Sequence, residues 1–314
     1  MPLAWVALRR LLLAFWLGLM AAAGACAEVK VVIVSGERSE AYREVAQALV
    51  SELERGGLMR SEVLELSTRE WDATQPTAAK LVVTLGTAAA QALARTPGQS
   101  PVLCTLLPRA SFEAVLADSG RQASARFSAL YLDQPWSRQL DLIRLAMPNA
   151  RRIGVLWGAQ SQRQASALKA AARAQDMSLV EATVADEGSL FVGLKKVLED
   201  ADVLLAVPDP SVYNSANIQN ILLTSFRLRV PLVAFSPAYV QAGALVALHV
   251  SPQQLGRQAG MLAIAALQGK ELPAAPLYSP EFSIAVNAPV ARSLGLTLDS
   301  RSWRDQLRQR RVTP

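Results

Sequence analysis

Few residues of this 314-residue chain have the types and spacing that chemistry requires. Its single histidine, His249, lies in the apolar run Ala244–Val250 and reads as a core-packed side chain. Cys104 has no other candidate histidine for a partner, and Cys26 falls in the N-terminal segment. Enzyme chemistry needs a nucleophile beside a base, or clustered metal ligands. Neither pattern occurs, Gly154 and Gly158 make no phosphate motif, and Gly-x-Gly-x-x-Gly and Walker-type loops are absent. The expectation is a protein with no enzymatic activity, no cofactor and no metal.

What remains is suited to binding. Short polar or aromatic residues recur just after apolar, β-branched runs. Ser35, Gly36 and Glu37 follow Val29–Val34, Gly86 and Thr87 follow Lys80–Thr84, and Thr105 follows Val102–Cys104. Later in the chain the same places hold Trp157-Gly158, then Pro208-Asp209-Pro210-Ser211, then Ser236-Pro237-Ala238-Tyr239. Thr87 is placed either to cap its own helix or to turn its hydroxyl to a ligand carboxylate. Asp209 suits a ligand ammonium, and Trp157 or Tyr239 offers a stacking face. Each has a purely structural alternative: capping for Ser, Thr and Asp, turn formation for Pro208 and Pro210, and core packing for Trp157. The expected ligand-binding set is Ser35, Glu37, Gly86, Thr87, Thr105, Trp157, Asp209, Ser236 and Tyr239.

These residues meet only if the elements between them bring them together. The remaining strand candidates are Val63–Leu66, Phe127–Leu132, Arg152–Leu156, Leu179–Thr183, Val203–Ala206, Leu232–Phe235 and Leu245–His249. Several are apolar at nearly every position, the pattern of parallel strands buried on both faces. Amphipathic stretches lie between them: Glu40–Arg55, Thr87–Ala94, Ser137–Met147, Gln162–Gln175, Leu190–Glu199 and Ala216–Leu228. Alternation of strand and helix predicts an α/β fold, and its restart at Arg152 predicts two doubly wound parallel-sheet lobes. In such sheets ligands bind beyond the carboxyl ends of the strands, where helix N-termini present free N–H groups.

The N-terminus carries Arg9-Arg10, an apolar run from Leu11 to Ala23 and a small-residue exit, the layout of a cleaved signal peptide. Ala25-Cys26-Ala27 is a cleavage site that would start the mature chain at Glu28. Lipidation at Cys26 is the less favoured alternative, because the first strand candidate begins three residues later. A periplasmic protein is therefore expected. With only Cys104 left, no internal disulfide forms, and stability must come from the cores. The formal charge of +6 includes Arg9 and Arg10 and an excess at the C-terminus (Arg301, Arg304, Arg308, Arg310 and Arg311). That placement reads as a solvated terminal helix, and no nucleic-acid footprint is expected.

The second half carries a specific resemblance. Ala201-Asp-Val-Leu-Leu-Ala-Val-Pro-Asp-Pro210 leads into Ile218-Gln-Asn-Ile-Leu-Leu-Thr-Ser225 and Val230-Pro-Leu-Val-Ala-Phe-Ser236. Gly243-Ala-Leu, Gln254-Leu-Gly-Arg-Gln-Ala259 and Phe282-Ser-Ile-Ala-Val-Asn-Ala-Pro-Val-Ala-Arg-Ser-Leu-Gly-Leu296 follow. Leu85-Gly-Thr-Ala-Ala-Ala90 and Met147-Pro-Asn-Ala-Arg-Arg-Ile-Gly-Val-Leu156 add to the match. The chain resembles the substrate-binding proteins of ABC transporters with the type I periplasmic-binding fold, some of which bind tryptophan or related amino acids. That resemblance implies two lobes joined by a three-stranded hinge and a ligand cleft between them. It places 28–131 with 249–271 in one lobe and 132–248 with 272–299 in the other, after a signal peptide at 1–27 and before a basic tail at 300–314. It also implies a monomer that closes on a small solute, an amino acid or an aromatic or anionic metabolite, and a permease in the inner membrane as partner. The alternative is a periplasmic sensor, or a partner of an outer-membrane receptor. Leu107-Pro108-Arg109-Ala110 and Gln122–Arg126 depart from the family's usual loops. Arg109 there reads either as a group for an anionic ligand or as a surface arginine.

Overall fold

A computed structural model describes residues 28–74, 79–96 and 98–310. The expected leader through Ala27, the choice at Cys26, and Arg311 lie outside the described residues. The strands are β1 (Val31–Ser35), β2 (Val63–Ser67), β3 (Leu81–Leu85), β4 (Val102–Thr105), β5 (Phe127–Tyr131), β6 (Arg152–Trp157), β7 (Ser178–Thr183), β8 (Val203–Leu205), β9 (Leu232–Ala234), β10 (Val246–His249), β11 (Leu277–Tyr278) and β12 (Ser283–Val286). They form two six-stranded sheets, ordered β11-β5-β4-β3-β1-β2 and β12-β10-β9-β8-β6-β7. Within each sheet, five consecutive strands run parallel in the doubly wound order 2-1-3-4-5. The sixth comes from the far end of the chain: β11 pairs parallel with β5, and β12 antiparallel with β10.

The two-residue period of a strand explains why these runs are apolar throughout. Val31 and Ile33 of β1 face one core with Val45, Leu49 and Leu53 of the helix Glu40–Arg55. Val32 and Val34 face the opposite core with Ala89, Ala90 and Leu93 of the helix Thr87–Arg95. In the second lobe Ile153 and Val155 join Leu140 and Ile143, while Leu156 joins Leu190, Leu194 and Val197. Each sheet is thus buried on both faces, as its five parallel strands with helices on either side require.

Three passages carry the chain between the lobes. The first follows β5 and ends at the helix Trp136–Ala146, whose Leu140 and Ile143 pack in the second lobe. A second, Val250-Ser251, leads from β10 to the helix Pro252–Leu267, which packs on Glu40–Arg55 in the first lobe. Gly256 and Gly260 permit that approach. A Cβ at Gly256 would lie 2.5 Å from the Val45 carbonyl oxygen, and one at Gly260 2.5 Å from Glu52 Cβ. The third runs from Ser279 to Phe282. Leu272 packs in the first lobe's core and the Ser128 hydroxyl donates to the Pro273 carbonyl, so the return to the second lobe comes after Tyr278 instead of after residue 271. A two-residue strand such as β11 is too short to leave a periodic signature.

Arg138 stitches two of these passages. Its guanidinium donates to Gln134 in the first and to the Ser279 carbonyl in the third, and lies 4.6 Å from the centre of the Phe282 ring. Arg257 pairs with Glu281 at 2.5 Å, tying the returning helix to the third passage. The C-terminal segment also departs from expectation. The helix Ser300–Gln309 is no free tail, because Trp303 and Leu307 are buried against the second lobe's core. The one-turn-apart spacing of those two residues puts them on one face, and the arginines occupy the rest. Among the described residues no helix is long and apolar enough to cross a membrane.

Candidate ligand-binding site

The carboxyl ends of the strands from both sheets, with the passages between them, enclose a cavity of about 510 Å³. Leu106 and Pro108 enter it after β4, and Leu132 and Asp133 after β5. From the other lobe come Pro208 after β8 and Phe235, Ser236 and Pro237 after β9. His249, Val250, Ser251 and Pro252 close the hinge side, and Ala41 completes the wall. The volume lies in the range of small-molecule sites, and the mix of many apolar and few polar groups is typical of them.

Local chain chemistry places each wall residue. Leu106 has φ of 57°, a left-handed conformation that an ordinary side chain adopts at a cost on the order of 1–2 kcal/mol. The turn it makes leads directly to Pro108, which starts the helix Arg109–Ser119. The Ser236 hydroxyl oxygen accepts from the Ala238 amide and starts the helix Pro237–Ala242. The Ser251 hydroxyl oxygen accepts from the Gln254 amide in a reciprocal capping box. Phe235 stands edge-on to both Tyr213 and Tyr239, which fixes its ring at the wall.

Two titratable side chains reach this wall. Asp133 accepts from the Arg109 backbone amide at 3.0 Å, and burial pushes its carboxyl up to about 6. His249 is half-buried at the end of β10 and is not packed away inside the core. Burial lowers its pKa, so the imidazole is neutral at pH 7. The Arg109 side chain is occupied elsewhere: it donates to Glu113 at 2.6 Å and to the Tyr278 hydroxyl at 3.2 Å.

The residues expected from sequence fall into three places. Ser236 lines the cavity, and Tyr239 stands behind Phe235 with its hydroxyl donating to the Tyr213 carbonyl at 3.2 Å. Ser35 and Glu37 line a separate open hollow of about 570 Å³ beyond β1 and β2, with Arg38, Arg43, Glu65 and Glu70. Gly86 adjoins that hollow through Tyr42: its φ is 84°, and a Cβ there would fall 2.1 Å from the Tyr42 hydroxyl. Thr87 begins the helix behind it and is half-buried.

The others serve the fold. Thr105 is fully buried and donates to the Leu130 carbonyl at 3.2 Å. Trp157 is buried in the second lobe's core, and its indole donates to Glu181 at 2.8 Å. Asp209, also buried, accepts from the amides of Gln160, Ser161 and Ser211 at 3.1, 2.8 and 3.0 Å, and from the Ser211 hydroxyl at 2.7 Å. It joins the loops after β6 and β8, and Gly158 must be glycine for that join, since a Cβ would lie 2.2 Å from the Ser211 hydroxyl. Cys104 is buried in β4, where burial pushes its thiol up to about 12, far from a reactive thiolate. No group of three or more acidic, His or Cys side chains suited to a metal occurs among the described residues.

Two doubly wound lobes flank this apolar cavity, and comparison with known sequences decides the family. The model of the ABC transporter substrate binding protein family matches residues 74–302. The chain belongs to that family. This substrate-binding protein is similar to a tyrosine-binding protein of Clostridioides difficile (strain R20291), with 24% identity over 223 residues. The match covers 69% of this chain and 63% of that relative, under two thirds of its length. Among solved structures, the substrate-binding protein shares its fold with an ABC domain from Streptococcus pneumonia in complex with L-Trp, at TM-score 0.65 and 16% identity. That likeness covers 88% of this chain and 98% of the other. A ligand-free, open structure of a substrate-binding protein with adhesive properties from Clostridium difficile gives TM-score 0.68 at 20% identity, covering 86% and 96%. The fold is that of type I periplasmic binding proteins.

Asp133 lines the cavity without belonging to the set expected from sequence. It stands two residues beyond β5, where the strand-end rule points, but it also lies in a passage between lobes. His249 was legible only as part of an apolar run.

Proposed function

We propose that this substrate-binding protein captures a small, largely apolar solute in the cavity between its lobes and delivers it to an ABC permease in the inner membrane. The observation that carries this reading is the cavity of about 510 Å³, whose wall is shared by both lobes and the hinge. A solute seated there touches Leu106 and Leu132 on one side and Phe235 and Pro208 on the other, so it favours the closed arrangement of the lobes. Closure at the passages bearing Arg138 would bury the solute without breaking either core. The protein is read as a periplasmic monomer that releases its solute chemically unchanged, after export by the N-terminal leader.

A thermal-shift screen of the chain from Glu28 across amines, amino acids, aromatic acids and sugars tests the reading. A solute that binds the folded state raises Tm by mass action. At least one class is expected to do so in the native protein and not in Val250→Trp, whose indole fills the cavity. Absence of any shift across the classes overturns solute capture at this cavity. Delivery is checked by ATP hydrolysis of the reconstituted cognate transporter, which the loaded protein should stimulate.

A further inference from the structure

We propose that the solute selected by this cavity is an apolar monocation, an aromatic or aliphatic body bearing one protonated amine, and that Asp133 recognises its charge. The inference rests on reading the cavity as the binding site and adds the chemical class of what enters it.

The wall is asymmetric in charge. Asp133 is its only acidic residue, and no lysine or arginine lines it among the described residues. Its carboxylate accepts from the Arg109 amide at 3.0 Å and from its own backbone amide. The guanidinium of Arg109, the nearest candidate counter-charge, is spent on Glu113 and Tyr278. A partly buried carboxylate held by backbone amides is incompletely balanced, and desolvation lifts its pKa despite those amides and the more distant Arg109 charge. An ammonium beside it supplies the missing charge in surroundings where Coulomb attraction is strong.

The other polar groups at the wall are neutral donors and acceptors, and none carries a positive charge to offset a second carboxylate beside Asp133. The hydroxyl oxygens of Ser236 and Ser251 are acceptors in helix caps. The imidazole of His249 is kept neutral by burial. A solute carboxylate would therefore face Asp133 with no cation to balance either group. The remaining wall, Leu106, Leu132, Phe235 and Val250 foremost, rewards an apolar body. An amine with an aromatic ring satisfies both demands, whereas its parent amino acid adds a negative charge that the wall does not answer.

The test compares three probes of one shape by titration calorimetry at pH 7.5: tryptamine, tryptophan and indole-3-propionate. Tryptamine is expected to bind at least tenfold more tightly than tryptophan, with no measurable binding of the acid. Asp133→Asn, which keeps an oxygen for the Arg109 amide, is expected to weaken tryptamine at least tenfold. Phenethylamine against phenylalanine serves as a second pair. Tighter binding of the amino acid or the acid, or unchanged amine affinity in Asp133→Asn, overturns the cation assignment. So does failure of both amines to bind. Val250→Trp separates this from the underlying reading: a non-cationic solute blocked by Val250→Trp leaves the cavity as the site, whereas binding that persists in Val250→Trp overturns the cavity itself.

Discussion

The backbone amide of Arg109 points at the Asp133 carboxylate across 3.0 Å, while the Arg109 guanidinium turns away to Glu113. Desolvation of Asp133 outweighs its two backbone amides and the Arg109 charge, which Glu113 partly cancels, and its carboxyl rises from 3.8 to about 6. A carboxyl whose pKa is raised on folding holds its proton more tightly in the folded state. Stability is then lost as pH climbs from about 4 to about 6 and stays reduced above, by on the order of 3 kcal/mol. Asp133→Asn is expected to raise Tm at pH 7.5 by roughly 5 °C and to change it little at pH 4. Melting curves at the two values check this; a lower Tm at pH 7.5 would contradict it.

Asp209 should behave in the opposite way. Burial acts to raise its pKa, but hydrogen bonds from Ser211 and Ser161 outweigh burial and hold it below the usual carboxylate range. Its contribution is complete above the unfolded value near 4 and disappears as pH falls through the lower folded value. Asp209→Ala leaves three amides, that of Ser161 buried, without their acceptor and is expected to cost about 3 kcal/mol at pH 7. The loss relative to the native protein should shrink as pH falls below the usual carboxylate range, measured by urea unfolding across pH.

Gly256 and Gly260 set the distance between the returning helix and Glu40–Arg55. Gly256→Ala places a methyl group 2.5 Å from a carbonyl oxygen, and the backbone cannot yield as a flexible side chain would. A loss of about 2 kcal/mol is expected, read as a lower urea midpoint. Gly269→Ala, where nothing lies within 4 Å but φ is 91°, separates steric from conformational cost.

Trp303 closes the second lobe's core. Trp303→Ala is expected to cost about 3–5 kcal/mol, and Arg308→Ala, exposed on the same helix, less than about 0.5 kcal/mol. Differential scanning calorimetry of the two variants distinguishes a structural helix from a detachable tail.

The sequence by itself determined the two doubly wound lobes, because strand and helix periodicities are local and repeat along the chain. Glu40–Arg55 was legible to its ends from its amphipathic spacing, and β1 from its unbroken valines and isoleucine. The family match, too, lies in contiguous runs such as Ala201–Pro210. Tertiary structure decided which strand ends share a cavity. Residues after β4, β5, β8, β9 and β10 converge only when two sheets face each other, and no spacing in the chain encodes that meeting. The same long-range packing turned Trp157 inward, committed Asp209 to joining two loops, and brought His249 to the wall. Local residue chemistry says what a side chain is able to bind, and only the packing of distant segments leaves one free to do so.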